Sequence, residues 1–335
     1  MSVQYALTID GNYLLSKNVF ALHSSNSLYD LPSYLAYNFK KLAELKGFYK
    51  IFFVSDSRKK SWRCGVYPDY KGTRKKDPAI DWEYAHIVYK EFKDILQSEN
   101  KAIVLEEDCI EGDDWISEIT KKLNKNNIGN LIMSADQDLQ QLVDLSFTNN
   151  YMNIQFDDKK GKEKVFIPEG YLRFLSENPS NEDSFDLFDL KGSTNNFDPL
   201  LLLHKYSVVE INNSRILFKK IIEGDKKSDN IPPIWTEPQV RKDGKTIIKG
   251  IGDKQGDNIF TMFSEKNTVK FDSHIPFKSD VIDILEKVKG FEFTAETRNF
   301  VKNNLIRNIK LIYLHEKFIP EDLKVKLFNK INEHF

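Results

Sequence analysis

Apolar residues in the first half of the chain gather into four short runs, and each run stops at or just before a carboxylate. VQYALTID closes on Asp10 and KIFFVSD on Asp56; the run at Ala102–Glu106 leads into CIEGDDWI with Glu111 and Asp113, and LIMSADQD carries Asp136 and Asp138. Runs this short and continuous predict buried strands of a parallel sheet: residues 3–10, Lys50–Ser55, Ala102–Glu106 and Asn130–Ser134. Between them the apolar spacing becomes helical. Leu31, Leu35, Phe39, Leu42 and Leu45 predict a helix over about 31–46, and Asp77-Pro78 opens another running from about Ile80 to Gln97. Ile116, Ile119 and Leu123 put a third over 113–124, and a fourth is expected to begin near Asp138. The stretch between the first strand and residue 31 is polar and poorly periodic.

This alternation through about residue 145 predicts an α/β fold with a central, mainly parallel sheet flanked by helices. Tyr151–Phe156 and Lys164–Ile167, joined by DDKKGK, read as a hairpin on the sheet edge. Residues 176–198 are polar and turn-rich, an expected irregular insertion, and from about 199 the pattern is helical. The tail IPEDLKVKLFNKINEHF begins a helix at Pro320, with Leu323, Leu327 and Ile331 four apart. The division expected is an α/β domain over 1–185 and a helical region over 186–335.

Six carboxylates at the carboxyl ends of parallel strands lie where sites form in such sheets, so Asp10, Asp56, Glu111, Asp113, Asp136 and Asp138 are expected to converge. Two carboxylates about 4 Å apart repel by roughly 4 kcal/mol at an effective dielectric near 20. A group of six needs cations. Oxygen ligands without His or Cys favour Mg²⁺ or Mn²⁺ over zinc, and such clusters suit two-metal phosphoester chemistry. Asp136 and Asp138, two apart in extended chain, face one side. Asp114 either joins the ligands or caps the helix that starts beside it.

Charge is sorted rather than biased. The net charge is −1, yet residues 58–76 hold eight Lys/Arg against one Asp, and 106–114 hold six acids and no base. A basic, aromatic arm at 58–80 above an acidic cup suits an anionic polymer. Two distant cysteines, Cys64 and Cys109, suggest a reducing compartment. No apolar stretch approaches the roughly 20 residues that span a bilayer, and the first strand leaves no room for a signal peptide, so a cytoplasmic, membrane-free protein is expected (host cytoplasm if viral).

Farther on, EGDKKSDNIPP supplies Asp225 and Asp229, and KGIGDKQGDNI sets a G-x-G between a strand-like run and a helix, a geometry that offers backbone N–H groups to phosphate. Together with TIDG around Asp10, VSDS around Asp56, WRCGVYPDYKGTR at 62–74, EGDD at 111–114 and SADQDLQQL at 134–142, these motifs resemble the structure-specific 5′ nucleases, the flap endonuclease and 5′–3′ exonuclease group. Within it the chain is most similar to the RNase H of T-even-type bacteriophages.

The resemblance implies a PIN-like sheet domain with a helical arch, and a helical C-terminal half carrying a helix-turn-helix-type duplex-binding motif. It makes Asp10, Asp56, Asp113 and Asp136 ligands of a first Mg²⁺ (Mn²⁺ substituting), with Glu111 nearby, and Asp138, Asp225 and Asp229 the second site. Lys71 would contact the scissile phosphate, Tyr70 stack on the terminal base, and Arg63, Arg74 and Lys75 hold neighbouring phosphates. Lys249, Gly250, Gly252 and Lys254 would grip the duplex, with K⁺ a further candidate at that loop. The implied substrates are branched or nicked duplex DNA and RNA–DNA hybrids with a 5′ end, cut by a monomer that removes primers from lagging-strand fragments. A single-strand-binding protein is an implied partner, with 320–335 a candidate surface. Sliding-clamp docking through an N-terminal extension is expected to be absent or relocated.

The chain departs from the family pattern in one extra residue within GDKKSDN, an insertion spanning 234–248, and Gly256, which is expected to delay the helix after the loop. Two rival readings are a catalytically idle junction-binding accessory of the same fold and a PIN-type single-strand RNase. Cleavage of flap duplexes against single strands, with and without Mg²⁺, separates all three.

Overall fold

The computed structural model describes residues 4–43, 47–146, 151–157, 163–177, 200–240, 246–265 and 277–335. Two compact units emerge: Met1–Ser61 with Lys76–Asn213 and His315–Phe335, and Trp62–Lys75 with Ser214–Leu314. The division therefore does not follow a single cut near 185. Part of the expected arch belongs to the second unit, and the C-terminal helix to the first.

The first unit is built on a mainly parallel sheet. Its strands are β1 (Gln4–Asp10), β2 (Ile51–Val54), β3 (Ile103–Leu105), β4 (Ile128–Met133), β5 (Leu145–Ser146), β6 (Tyr151–Asp157), β7 (Lys164–Pro168) and β8 (Ser207–Ile211). They lie in the order β3-β2-β1-β4-β6-β7-β8, with β5 paired to β6. Only the β6–β7 and β5–β6 pairs are antiparallel. The register sets Asp10 against Val54, Val54 against Leu105, and Ile9 against Met133, so four strands end at one level. That alignment carries the acidic residues that follow them to one edge.

Helices α1 (Gly11–Ser24), α2 (Leu31–Ala43), α4 (Trp82–Ser98) and α5 (Gly112–Lys125) accompany the sheet. Leu14, Leu35, Phe53, Phe92 and Ile154 share one buried core. A buried chain of hydrogen bonds fixes α5 on the sheet: Thr8 Oγ1 donates to Asn130 Oδ1 (2.9 Å), and Asn130 Nδ2 to Thr120 Oγ1 (2.8 Å). These groups are fully desolvated, so their pairing is obligatory.

Three expectations are corrected here. The polar stretch after β1 is helix α1. Its buried face includes Asn18, which donates to Leu14 O (2.7 Å) and accepts from Asn38 (2.7 Å), while the aromatic Phe20 faces solvent. Satisfied locally, Asn18 sits in a stripe that otherwise looks broken. Instead of a long helix from Asp138 there is a short 3-10 turn, Gln137–Leu142, leading into β5. The hairpin β6–β7 is not the edge: β8 lies beyond it, in a region expected to be helical, preceded by α6 (Tyr171–Glu177) and α7 (Leu200–Lys205). The DDKKGK connection and the 176–198 insertion fall almost wholly outside the described residues.

The second unit holds α3 (Arg63–Val66), α8 (Asn213–Glu223), the antiparallel hairpin β9 (Thr236–Val240) and β10 (Thr246–Gly250), α9 (Asp253–Ser264), α10 (Phe277–Lys289) and α11 (Ala295–Ile312). The hairpin occupies the 234–248 insertion, whose centre at 241–245 lies outside the described residues. Helix α9 starts at Asp253 and contains Gly256, so Gly256 does not delay it. A Cβ there would sit 1.9 Å from Glu223 Oε1, so a larger residue would require the Glu223 side chain to move. In the first unit α12 (Glu321–Asn332) buries Leu323, Leu327 and Ile331. Among the described residues no helix is long and apolar enough to cross a membrane.

Candidate metal centre

Asp10 ends β1 and caps α1. Its Oδ1 accepts from Tyr13 N (3.0 Å) and its Oδ2 from Ser134 Oγ (2.7 Å), which ties the end of β1 to the end of β4. The next residue is glycine because Tyr89 comes close: a Cβ on Gly11 would lie 2.2 Å from the Tyr89 hydroxyl, itself 2.5 Å from Ser55 Oγ beside Asp56. Asp56 follows β2, and its Oδ1 accepts from Gly112 N (2.6 Å), binding the end of β2 to the start of α5. Asp136 caps the 3-10 turn by accepting from Asp138 N (2.8 Å). Gln155 on β6 donates to Ser134 O (2.9 Å) and Asp136 O (2.7 Å), pinning the loop that carries Asp136.

The electrostatics register this proximity. Burial of the Asp10 carboxyl pushes its pKa up to about 6, against the pull of the Ser134 and Tyr13 hydrogen bonds, and the charges of Asp56 and Asp136 push the same way. Asp10, Asp56 and Asp136 thus come together across three strands. Asp113 stands in the first turn of α5, directly after the Gly112 N–H that binds Asp56. Glu111 caps α5 and is 5% exposed. Asp114, 2% exposed, completes a capping box by accepting from Glu111 N (3.2 Å). Of the two roles the sequence left open to Asp114, the structure supplies the cap. Asp138 is buried at 8% exposure on the 3-10 turn after Asp136.

The donor set fits a hard divalent cation. It consists of carboxylates from several strand ends, and one of them already resists ionisation because it is buried, with its negative neighbours adding to the effect. A divalent ion held by Asp10, Asp56, Asp113 and Asp136 would reverse that penalty.

The second unit brings the YKGTR and GDKKSDN motifs together. Arg74 Nη2 meets Asp229 Oδ1 at 2.6 Å, Tyr70 Oη donates to Asp229 Oδ2 (3.4 Å), and Lys71 N donates to Asp229 O (2.8 Å). Asn230 Nδ2 returns a bond to Asp69 O (2.9 Å). Lys71 holds φ at +56°, a left-handed backbone uncommon outside glycine. Asp225 accepts from Ser228 N (2.9 Å) and pairs with Lys220 (2.9 Å). Burial would raise the Asp225 pKa, but Lys220 and the backbone N–H groups outweigh it and hold the carboxyl below its ordinary value.

Two nucleic-acid assignments are corrected. Arg63 is 2% exposed, stacks its guanidinium on Trp62 (4.5 Å) and donates Nε to Leu311 O (3.0 Å); it anchors α3 on α11 and does not face phosphates. Tyr70 is 5% exposed, so its ring offers no open face for a base to stack on. Lys75, Arg74, Lys249, Lys254 and Gly252 are exposed, and Gly250 is half-buried against Pro233. The sequence missed the Arg74–Asp229 tie and the Gln155 anchor. A basic block shows no hint of which cation turns inward, and a strand glutamine resembles any other.

Residues 5–166 match the family model described as the 5′-3′ exonuclease N-terminal resolvase-like domain. The chain is 24% identical over 326 residues to DNA polymerase I of Caldicellulosiruptor bescii, covering 96% of this chain and 30% of the polymerase. It is 26% identical over 178 residues to the 5′-3′ exonuclease of Buchnera aphidicola subsp. Schizaphis graminum, 51% of this chain and 60% of that one. The chain therefore spans less than a third of the polymerase. In fold it is similar to the bacteriophage T5 flap endonuclease, solved as a pseudo-enzyme–product complex with DNA and metal ions, with a TM-score of 0.60, 18% identity and 98% of both chains covered.

Proposed function

We propose that the chain is a 5′ nuclease, a Mg²⁺-dependent 5′–3′ exonuclease and 5′ flap endonuclease; the match of residues 5–166 to the 5′-3′ exonuclease N-terminal domain supports this reading. Its substrates are nicked and branched duplexes, including RNA–DNA hybrids, and its role is removal of RNA primers and adjacent DNA in phage-type replication. The observation that carries this reading is the Asp10 carboxyl, driven to a pKa of about 6 within a group of acids at one sheet edge. Divalent cations bound there would supply charge stabilisation for the oxygens entering and leaving the scissile phosphate.

The chain's own residues do the positioning. Asp10, Asp56, Asp113 and Asp136 are held by strand ends and helix caps, with little reorganisation left for the reaction. Lys71, fixed through its N–H to Asp229, is the proposed contact to the scissile phosphate, and the exposed Arg74, Lys75, Lys249 and Lys254 supply phosphate affinity. The Gly250–Gly252 loop, with K⁺ as an added ligand, is the proposed grip on duplex.

The test is cleavage of 5′-labelled nicked and flap duplexes with and without Mg²⁺, reading product length. Short 5′ products that require Mg²⁺ are expected; binding without cleavage would leave an idle junction-binding protein. Lys71→Ala is expected to cut turnover far more than affinity. Equal loss in both would reduce Lys71 to a phosphate anchor.

A further inference from the structure

The loop between β3 and α5 presents Glu111 and Asp113, and its conformation is not self-sustaining. Cys109 lies at φ +67°, a left-handed backbone that is unfavourable for a residue with a side chain. Residues 106–110 make little regular backbone pairing of their own, beyond Ile110 N to Glu107 O (3.2 Å). The loop is held instead from outside. Ser57 Oγ accepts from Cys109 N (3.1 Å), Lys59 pairs with Asp108 (2.5 Å), and Lys93 of α4 pairs with Glu106.

The densest attachment comes from the far end of the sequence. Lys330 Nζ on α12 donates to Glu106 O (2.8 Å) and pairs with Glu107 Oε2 (2.8 Å), while Lys326, one turn earlier, reaches Glu107 Oε1 (3.4 Å). Lys122 of α5 bonds Asn332 Oδ1 (2.9 Å), so the same C-terminal helix grips both the loop and the helix it feeds.

We propose that Lys330 is a positioning residue for the metal centre: by clamping Glu106 and Glu107 it sets the loop from which Glu111 and Asp113 are presented, and so sets the affinity for divalent cations. The proposal rests on the metal-centre reading above. Two consequences separate it from a general packing role. Loss of the clamp raises the metal concentration required while leaving turnover at saturating metal in place. A second cation of suitable length restores it.

The experiment compares wild type, Lys330→Ala and Lys330→Arg in Mg²⁺ titrations of flap cleavage, and in calorimetric Mg²⁺ binding without DNA. Lys330→Ala is expected to raise both the half-saturating Mg²⁺ and the calorimetric Kd about fivefold, with kcat at saturating Mg²⁺ nearly unchanged, and Lys330→Arg to recover most of it. Unchanged Mg²⁺ binding, or a loss of kcat that excess Mg²⁺ does not restore, overturns the proposal. If Lys330→Ala fails to fold, Glu107→Gln, which removes the same ion pair from the other side, takes its place with the same expectations. Calorimetry keeps the two readings apart: wild type that binds Mg²⁺ but cuts nothing refutes the nuclease assignment and leaves the clamp to be judged on Kd.

Discussion

Asp10 of the first unit and three aspartates of the second, Asp225, Asp229 and Asp257, are treated in opposite ways. In the second unit they are matched by cations from the same fold: Asp229 by Arg74, Asp225 by Lys220, Asp257 by Arg215 and Lys219. Hydrogen bonding from Lys219, helped by Arg215 and opposed by burial, holds the Asp257 carboxyl below its usual range; Asp225 is lowered as well. At the sheet edge of the first unit Asp10 accepts from two neutral donors, Tyr13 N and Ser134 Oγ; burial raises its pKa, and the charges of Asp56 and Asp136 push the same way. The three aspartates of the second unit are matched by cations of the chain, whereas Asp10 meets neutral donors and the charges of other acids. Buried like charges persist in folded proteins chiefly where function uses them.

The largest effect expected from breaking this contrast follows from Asp136→Asn. Cleavage of a 5′ flap should fall on the order of a thousandfold or more in single-turnover assays, with flap binding largely retained. Retained hydrolysis would remove Asp136 from the metal centre.

Next comes Arg63→Ala in the second unit. It strands a buried carbonyl at Leu311 and empties the space against Trp62, so urea unfolding should show a loss of about 3 kcal/mol. Loss of DNA affinity with unchanged stability would return Arg63 to the phosphate-binding group.

A pH series sharpens the contrast. With Asp10 near 6, activity at low Mg²⁺ should fall about tenfold per unit below pH 6, and the inflection should move to lower pH as Mg²⁺ rises, since cation and proton compete. An inflection insensitive to Mg²⁺ would assign it to another group. The smallest effect is Arg74→Ala, whose ion pair is half exposed on the arginine side and should cost about 1 kcal/mol of stability.

Much of this organisation is legible in the residues. Buried parallel strands are continuous apolar runs, so their ends, and the acids that follow, stand out without structural help. The failures have physical causes as well. Helix α1 was hidden because Asn18 is buried and satisfied within its own helix. Strand β8 is five residues long and borrows its pairing from β7, and Arg63 sits in a basic block that gives no sign of its burial under α11. Asp114 offered two roles in sequence, and only the geometry of the α5 cap selects one.

Thermal unfolding against Mg²⁺ at two pH values asks whether the acids on the sheet edge repel one another until a divalent cation joins them. Because the folded pKa of Asp10 lies above its unfolded value, the metal-free protein loses stability as pH rises from about 4 through about 6. Millimolar Mg²⁺ should therefore raise the melting temperature by several degrees at pH 8, where Asp10 is ionised, and by clearly less at pH 5, where a proton already occupies the site. No rise at pH 8, or an equal rise at both, would contradict the account.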